Sequence, residues 1–167
     1  MKIVRIFDGE DSLFAFHYAH EEQHELDRLL ELWQDTEYLR DFAKSNGVAD
    51  IDVFVLNILD DAEKIDDLLL NESDYEFYFH PLELTQHNKS LSLRKGKVRL
   101  NKLRLYAIKI DQNCFAITGG AIKMSQKMAD HPDTRRELEK LKAAQMYLRS
   151  NDVHDADSFV ELLDPDT

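Results

Sequence analysis

The chemistry this chain can offer is concentrated in its cations. Arg94, Lys95, Lys97, Arg99, Lys102, Arg104 and Lys109 lie within sixteen residues, and Lys123, Lys127, Arg135, Arg136, Lys140 and Lys142 follow. Cations on one face of a sheet, beside a basic helix, make a surface that tracks a phosphate backbone. Tyr106 sits among them, where its ring could stack on a base. The RNA contacts expected on this reading are Arg94, Lys97, Arg99, Lys102, Tyr106, Arg135 and Arg136. The simpler reading has Lys and Arg guarding strand edges against aggregation, with Tyr106 in the core. RNA cleavage would need a base for the 2′-hydroxyl, a cation for the phosphorane charge and an acid for the leaving oxygen. His80, His87 and His131 are the candidate proton carriers, but no spacing selects one, and surface or capping roles suit each as well.

These residues need elements to hold them. The densest strand signal is LRLYAIKIDQNCFAITGGAIKMSQK, residues 103–127. Two apolar runs flank Asp111-Gln112-Asn113, which predicts an antiparallel hairpin. Gly119-Gly120 is expected to bend or loosen the second strand. Leu91-Ser92-Leu93 reads as a short strand, Arg94-Lys95-Gly96-Lys97 as a basic turn, and 98–100 as the start of the next strand. A charged helix is predicted over 134–148. Upstream, 2–7 and 13–18 read as a hairpin around Asp8-Gly9. Residues 19–45 read as helical, with Leu26, Leu29, Leu30 and Trp33 on one face and a restart cap at Asp35. A further helix is expected from a cap at Asp50 or Asp52 to about Leu70, its outer face acidic. Tyr75, Phe77, Tyr78 and Phe79 are expected in the core, and 155–163 as a short helix. The fold class is α+β: an antiparallel sheet on 91–123, N-terminal helices and a C-terminal helix.

The hairpin "LRLYAI…ITGGAIK", its continuation "GGAIKMSQKM" and the helix "TRRELEKLKAAQMYL" resemble the C-terminal half of RelE/HigB-like toxins. The resemblance covers 75–148. It implies the toxin of a toxin–antitoxin system: a ribosome-associated mRNA endoribonuclease that needs no metal or other cofactor. It also implies an antitoxin partner with a helix-turn-helix domain, besides RNA or the ribosome. By this resemblance Arg104 and Lys123 would stabilise the scissile phosphate, with Lys95 or Lys127 assisting. The acidic first half is larger than the helical hairpin these toxins carry. The organisation expected is a single domain: an acidic hairpin-plus-helices elaboration over 1–74, the toxin-like core over 75–149, and an acidic tail over 150–167. The alternative is a non-enzymatic interaction module whose acidic half binds a basic partner.

The charge distribution fits either. Residues 1–88 carry 6 Lys and Arg against 22 Asp and Glu, a net of −16; residues 89–149 carry 15 against 5, a net of +10. The remaining residues are acidic, and the whole chain stands at −12. Such asymmetry suggests a polyanion-facing half beside an acidic one, or two solvated faces that partly neutralise each other. The single cysteine, Cys114, cannot form an internal disulfide and reads as a buried hydrophobe. No stretch has the length or apolarity of a membrane span or signal core, so a cytoplasmic protein without membrane contacts is expected. There is no phosphate-binding Gly-rich loop, no Cys/His zinc pattern and no calcium-loop spacing.

Overall fold

The computed structural model describes residues 1–83, 90–98, 101–124 and 128–163. Its frame is a six-stranded mixed sheet in the order β1-β2-β6-β5-β4-β3. The opening hairpin is β1 (Lys2–Arg5) and β2 (Leu13–His17), antiparallel, with Gly9 at positive φ in the turn. Helices α1 (Glu25–Leu32), α2 (Thr36–Ser45) and α3 (Ile51–Asn71) follow. Then come β3 (Phe79–Pro81), β4 (Ser92–Gly96), β5 (Leu103–Asp111) and β6 (Cys114–Ile122). Helices α4 (Pro132–Ser150) and α5 (Ala156–Leu163) come next.

The sheet is covered on both faces. Leu26, Leu29 and Trp33 around α1, Leu39 and Phe42 of α2, and Phe54, Ile58 and Ile65 of α3 pack on one face, against Leu13, Ala15, Leu105, Phe115 and Ile117. Leu141, Ala144 and Leu148 of α4 and Phe159 of α5 pack on the other, against Phe14, Phe16, Tyr106, Ile108 and Ala116. This double cover explains why all nine residues of β6 are buried. A strand covered on both sides reads as a continuous apolar run instead of an alternating one.

The α+β class and most elements agree with the sequence reading. Asp35 and Asp50 do cap α2 and α3, each accepting a backbone N–H at 3.2 Å. Several expectations are corrected. The sheet is not purely antiparallel and not confined to 91–123: β2 pairs parallel with β6, which joins the N-terminal hairpin to the same sheet. The helix over 19–45 is two helices, beginning only at Glu25 and interrupted at 33–35. Arg94, Lys95 and Gly96 belong to β4 and are not a turn. The expectation that Gly119-Gly120 would bend or loosen the second strand agrees with the structure: the pair lies inside β6, and the ladder with β5 shifts register beside Gly119, between Tyr106 and Ala107. Phe77 is 52% exposed because a single turn at 75–79, with Tyr78 N and Phe79 N both donating to the Tyr75 carbonyl, points it outward.

Candidate functional site

Register determines which cations meet. In the antiparallel ladder His80 stands opposite Lys95, Lys95 opposite Tyr106, and Tyr106 opposite Gly119. Arg104 stands opposite Ala121, and Lys123 follows directly after the end of β6. Directly paired residues and residues two apart share a face. His80, Lys95, Tyr106, Arg104 and Lys123 are therefore on one face of one corner of the sheet. It is the face on which α4 packs, since Tyr106 and Ala121 share a core with Leu141 and Ala144.

The three cations Lys95, Arg104 and Lys123 are half-buried there, and none pairs with a carboxylate among the described residues. Partial burial holds the Lys95 ammonium below the ordinary lysine range, and the charges of Lys97 and Arg104 lower it further. Lys123 is lowered for the same reasons, by burial and then by Lys95, Arg104 and Lys97. His80 is held below the usual imidazole range by partial burial and by Lys97, Arg94 and Lys95. Arg104 donates from one terminal nitrogen to the carbonyls of Asn101 (2.5 Å) and Leu103 (2.9 Å), which fixes its fork. Its Nε and the Tyr106 hydroxyl are buried and have no hydrogen-bond partner among the described residues. Like charges gathered with no carboxylate in ion-pair range among the described residues, Asp61 acting on Arg104 only at longer range, beside buried donors without acceptors there, suit an incoming anion with several oxygens.

The other sequence candidates scatter. Arg94 is 2% exposed and lies on the opposite face, where its Nε donates to Ser92 Oγ at 2.9 Å and a terminal nitrogen reaches the Phe79 carbonyl at 3.5 Å. It braces β3 against β4 and offers no open RNA contact. Tyr106 is fully buried, so its ring is core and not a stacking platform. Lys97 is exposed near the cationic corner, while Lys102 is turned toward α3, its Nζ 6.0 Å from the Phe54 ring. Arg135 and Arg136 are exposed near the start of α4. Lys127, Arg99 and His87 lie outside the described residues. His131 caps α4: its Nδ1 accepts the Asp133 N–H at 3.1 Å, and its Nε2 meets Asn46 Oδ1 at 2.7 Å. Cys114 is buried, and burial pushes its thiol up to about 12, which removes it as a nucleophile at neutral pH.

A second cluster went unseen in the sequence. Past His17 the chain leaves the sheet while β6 runs on, and a polar group fills the resulting notch. The Tyr18 hydroxyl donates to the Thr118 carbonyl at 2.6 Å. Lys140 Nζ lies 5.0 Å from the Tyr18 ring centroid and touches Glu25, which is fully buried. Arg28 Nε donates to Glu25 at 2.5 Å and lies 3.3 Å from Glu21. Glu137 sits 3.0 Å from Lys140. A Cβ added to Gly119 would come within 2.3 Å of a Glu137 oxygen, so the absent side chain lets the carboxylate lie against the strand. Burial would raise Glu25, but hydrogen bonds from Arg28, Glu21 and Lys140 outweigh it and hold the carboxyl at about 2. Glu21 is pushed up to about 7 by burial and by the neighbouring Glu25. One signal was available: Glu137 falls on the buried stripe Thr134, Glu137, Leu141, Ala144, Leu148 of α4, and a Glu there must find a cation.

Among the described residues no three His, Cys, Asp or Glu side chains are placed to hold a metal ion, and no helix is long and apolar enough to cross a membrane. Comparison with protein-family models, with curated proteins and with solved structures finds no match for this chain.

Proposed function

We propose that the chain is a metal-independent endoribonuclease of the RelE/HigB toxin type, acting on mRNA at the ribosome. The observation that carries this reading is the convergence of Lys95, Arg104 and Lys123 on one face, without a carboxylate partner among the described residues, beside His80 and the unpartnered Tyr106 hydroxyl. The cations hold the scissile phosphate and stabilise its developing charge. His80, biased toward its neutral form, takes the 2′-hydroxyl proton. A neighbouring lysine ammonium, its pKa lowered by partial burial and then by the same cluster, protonates the leaving 5′-oxygen. The products are a 2′,3′-cyclic phosphate and a 5′-hydroxyl.

A basic partner is a second part of this reading. The outer side of α3 exposes Val53, Leu56 and Leu70 beside Asp60, Glu63 and Asp67. That mixture suits a basic amphipathic segment such as an antitoxin would supply. The test is induced expression with growth and bulk translation measured, followed by incubation of purified protein with mRNA in chelator. Growth arrest and chelator-resistant cleavage leaving cyclic-phosphate ends are expected. Normal growth, together with intact RNA on and off ribosomes, would sink the enzymatic reading.

A further inference from the structure

A cavity of about 120 Å³ opens beside the cationic corner, between α1–α2 and the start of α4. Its floor is Gly120, Ala121 and Ile122 of β6; Trp33 and Tyr38 line it, together with Arg28, Arg136, Asp133 and Glu137. The floor is a strand edge. Lys123 N donates to the Lys102 carbonyl at 2.7 Å, so the backbone of residue 123 faces the β5 side. Alternation then turns the N–H and C=O groups of Gly120 and Ile122 to the other edge. On that edge the last pair with β2 is Ala15–Ile117, so β2 does not take them up. Glu137 Oε2 is within ion-pair range of Lys140, yet it is buried and accepts no well-directed hydrogen bond.

We infer that this cavity is a base-recognition site that takes guanine. This rests on the RNA-cleavage reading and names the base it prefers. The volume suits one heterocyclic base without its sugar. Two guanidinium groups and two carboxylates leave the lining without net charge, which favours a neutral polar ligand over an ion. Guanine presents N1–H and N2–H side by side, which fits a carboxylate, and O6 with N7, which fits a guanidinium fork. Adenine, cytosine and uracil all lack the side-by-side N–H donors, and none has the O6–N7 acceptor pair. Aromatic rings beside polar groups are the usual setting for an unstacked base. The location supplies the connection to the phosphate, since Ala121 stands directly opposite Arg104 and Lys123 follows Ile122.

Trp33, the only Trp in the chain, lines the cavity, so intrinsic fluorescence reads occupancy. The full chain is titrated with guanosine, adenosine, cytidine and uridine. A saturable change with guanosine is expected, with the other three at least tenfold weaker. Leu32→Phe, which fills the cavity from its lining, and Arg136→Ala, at an exposed position, should each weaken guanosine at least tenfold while the near-ultraviolet dichroism stays native. No saturable change, an equal response to all four nucleosides, or undiminished binding by a folded Arg136→Ala would overturn the assignment. Guanosine carries no phosphate, so its binding is independent of the cationic corner. Guanosine binding without cleavage of any RNA rejects the nuclease and keeps the base site; cleavage without guanosine binding rejects the base site alone.

Discussion

Replacing Glu21 with Gln should change how stability depends on pH. Glu21 belongs to a cluster of three carboxylates served, among the described residues, by two permanent cations, Arg28 and Lys140, with the exposed His20 ring nitrogen 3.6 Å from Glu21. Its carboxyl rises from 4.5 to about 7, through burial first and then through Glu25. A raised carboxylate means that the folded state holds its proton more tightly than the unfolded state does. Its contribution to stability is therefore complete below pH 4.5 and is lost as pH rises through 7. At about 1.4 kcal/mol per pH unit the ceiling is about 3 kcal/mol. Glu25 moves the other way, to about 2, through the same contact, so about 1–2 kcal/mol belongs to Glu21 itself. Glu21→Gln removes the titration and leaves an amide able to donate to Glu25. Urea unfolding, followed through the buried Trp33, gives the free energies at pH 5 and pH 8. The wild type should lose about 1–2 kcal/mol relative to the variant between these two values. An identical difference at both pH values, or a wild type that gains on the variant at pH 8, would refute the account of the cluster.

Three further outcomes follow from other parts of the molecule. Lys123→Ala and Arg104→Ala should each relieve growth arrest and slow RNA cleavage by about 100-fold or more, as for a lost transition-state cation. Lys123→Ala should leave urea stability within about 0.5 kcal/mol, and undiminished cleavage by either folded variant would exclude that residue. Gly120→Ala should destabilise by about 3 kcal/mol or more, since the added Cβ would lie 2.6 Å from the Arg104 carbonyl and 3.1 Å from the Trp33 ring; thermal unfolding within a degree of wild type would contradict it. Cys114 should resist a thiol reagent at pH 8 until the chain unfolds, because it is 2% exposed with its thiol pushed up to about 12; rapid modification of the folded protein would place it elsewhere.

Local pattern alone determined much of this protein. Polar breaks and caps act over a few residues, so the Asp111–Asn113 turn and the Asp35 and Asp50 caps were legible in the sequence. Two-residue periodicity put Arg104 on the same face as Tyr106, and chain order brought Lys123 to the end of the neighbouring strand. Tertiary structure decided the rest, because the deciding contacts join residues distant in the chain. Nothing near Leu13 announces a parallel partner at Phe115. That pairing covers β6 on one side and, by ending at Ile117, opens the notch filled by Tyr18, Glu25, Glu137 and Lys140. Arg94 and Lys95 look alike in sequence, yet strand alternation sends one into the core and the other to the cationic corner, a difference that a turn over 94–97 would not produce. Gly119 and Gly120 read in the sequence only as a place where the strand bends; tertiary structure adds that they are the points where a carboxylate and a neighbouring strand come too near for any side chain. Propensity describes what a residue does to its own backbone; it carries no information about which buried charge will come to rest against it.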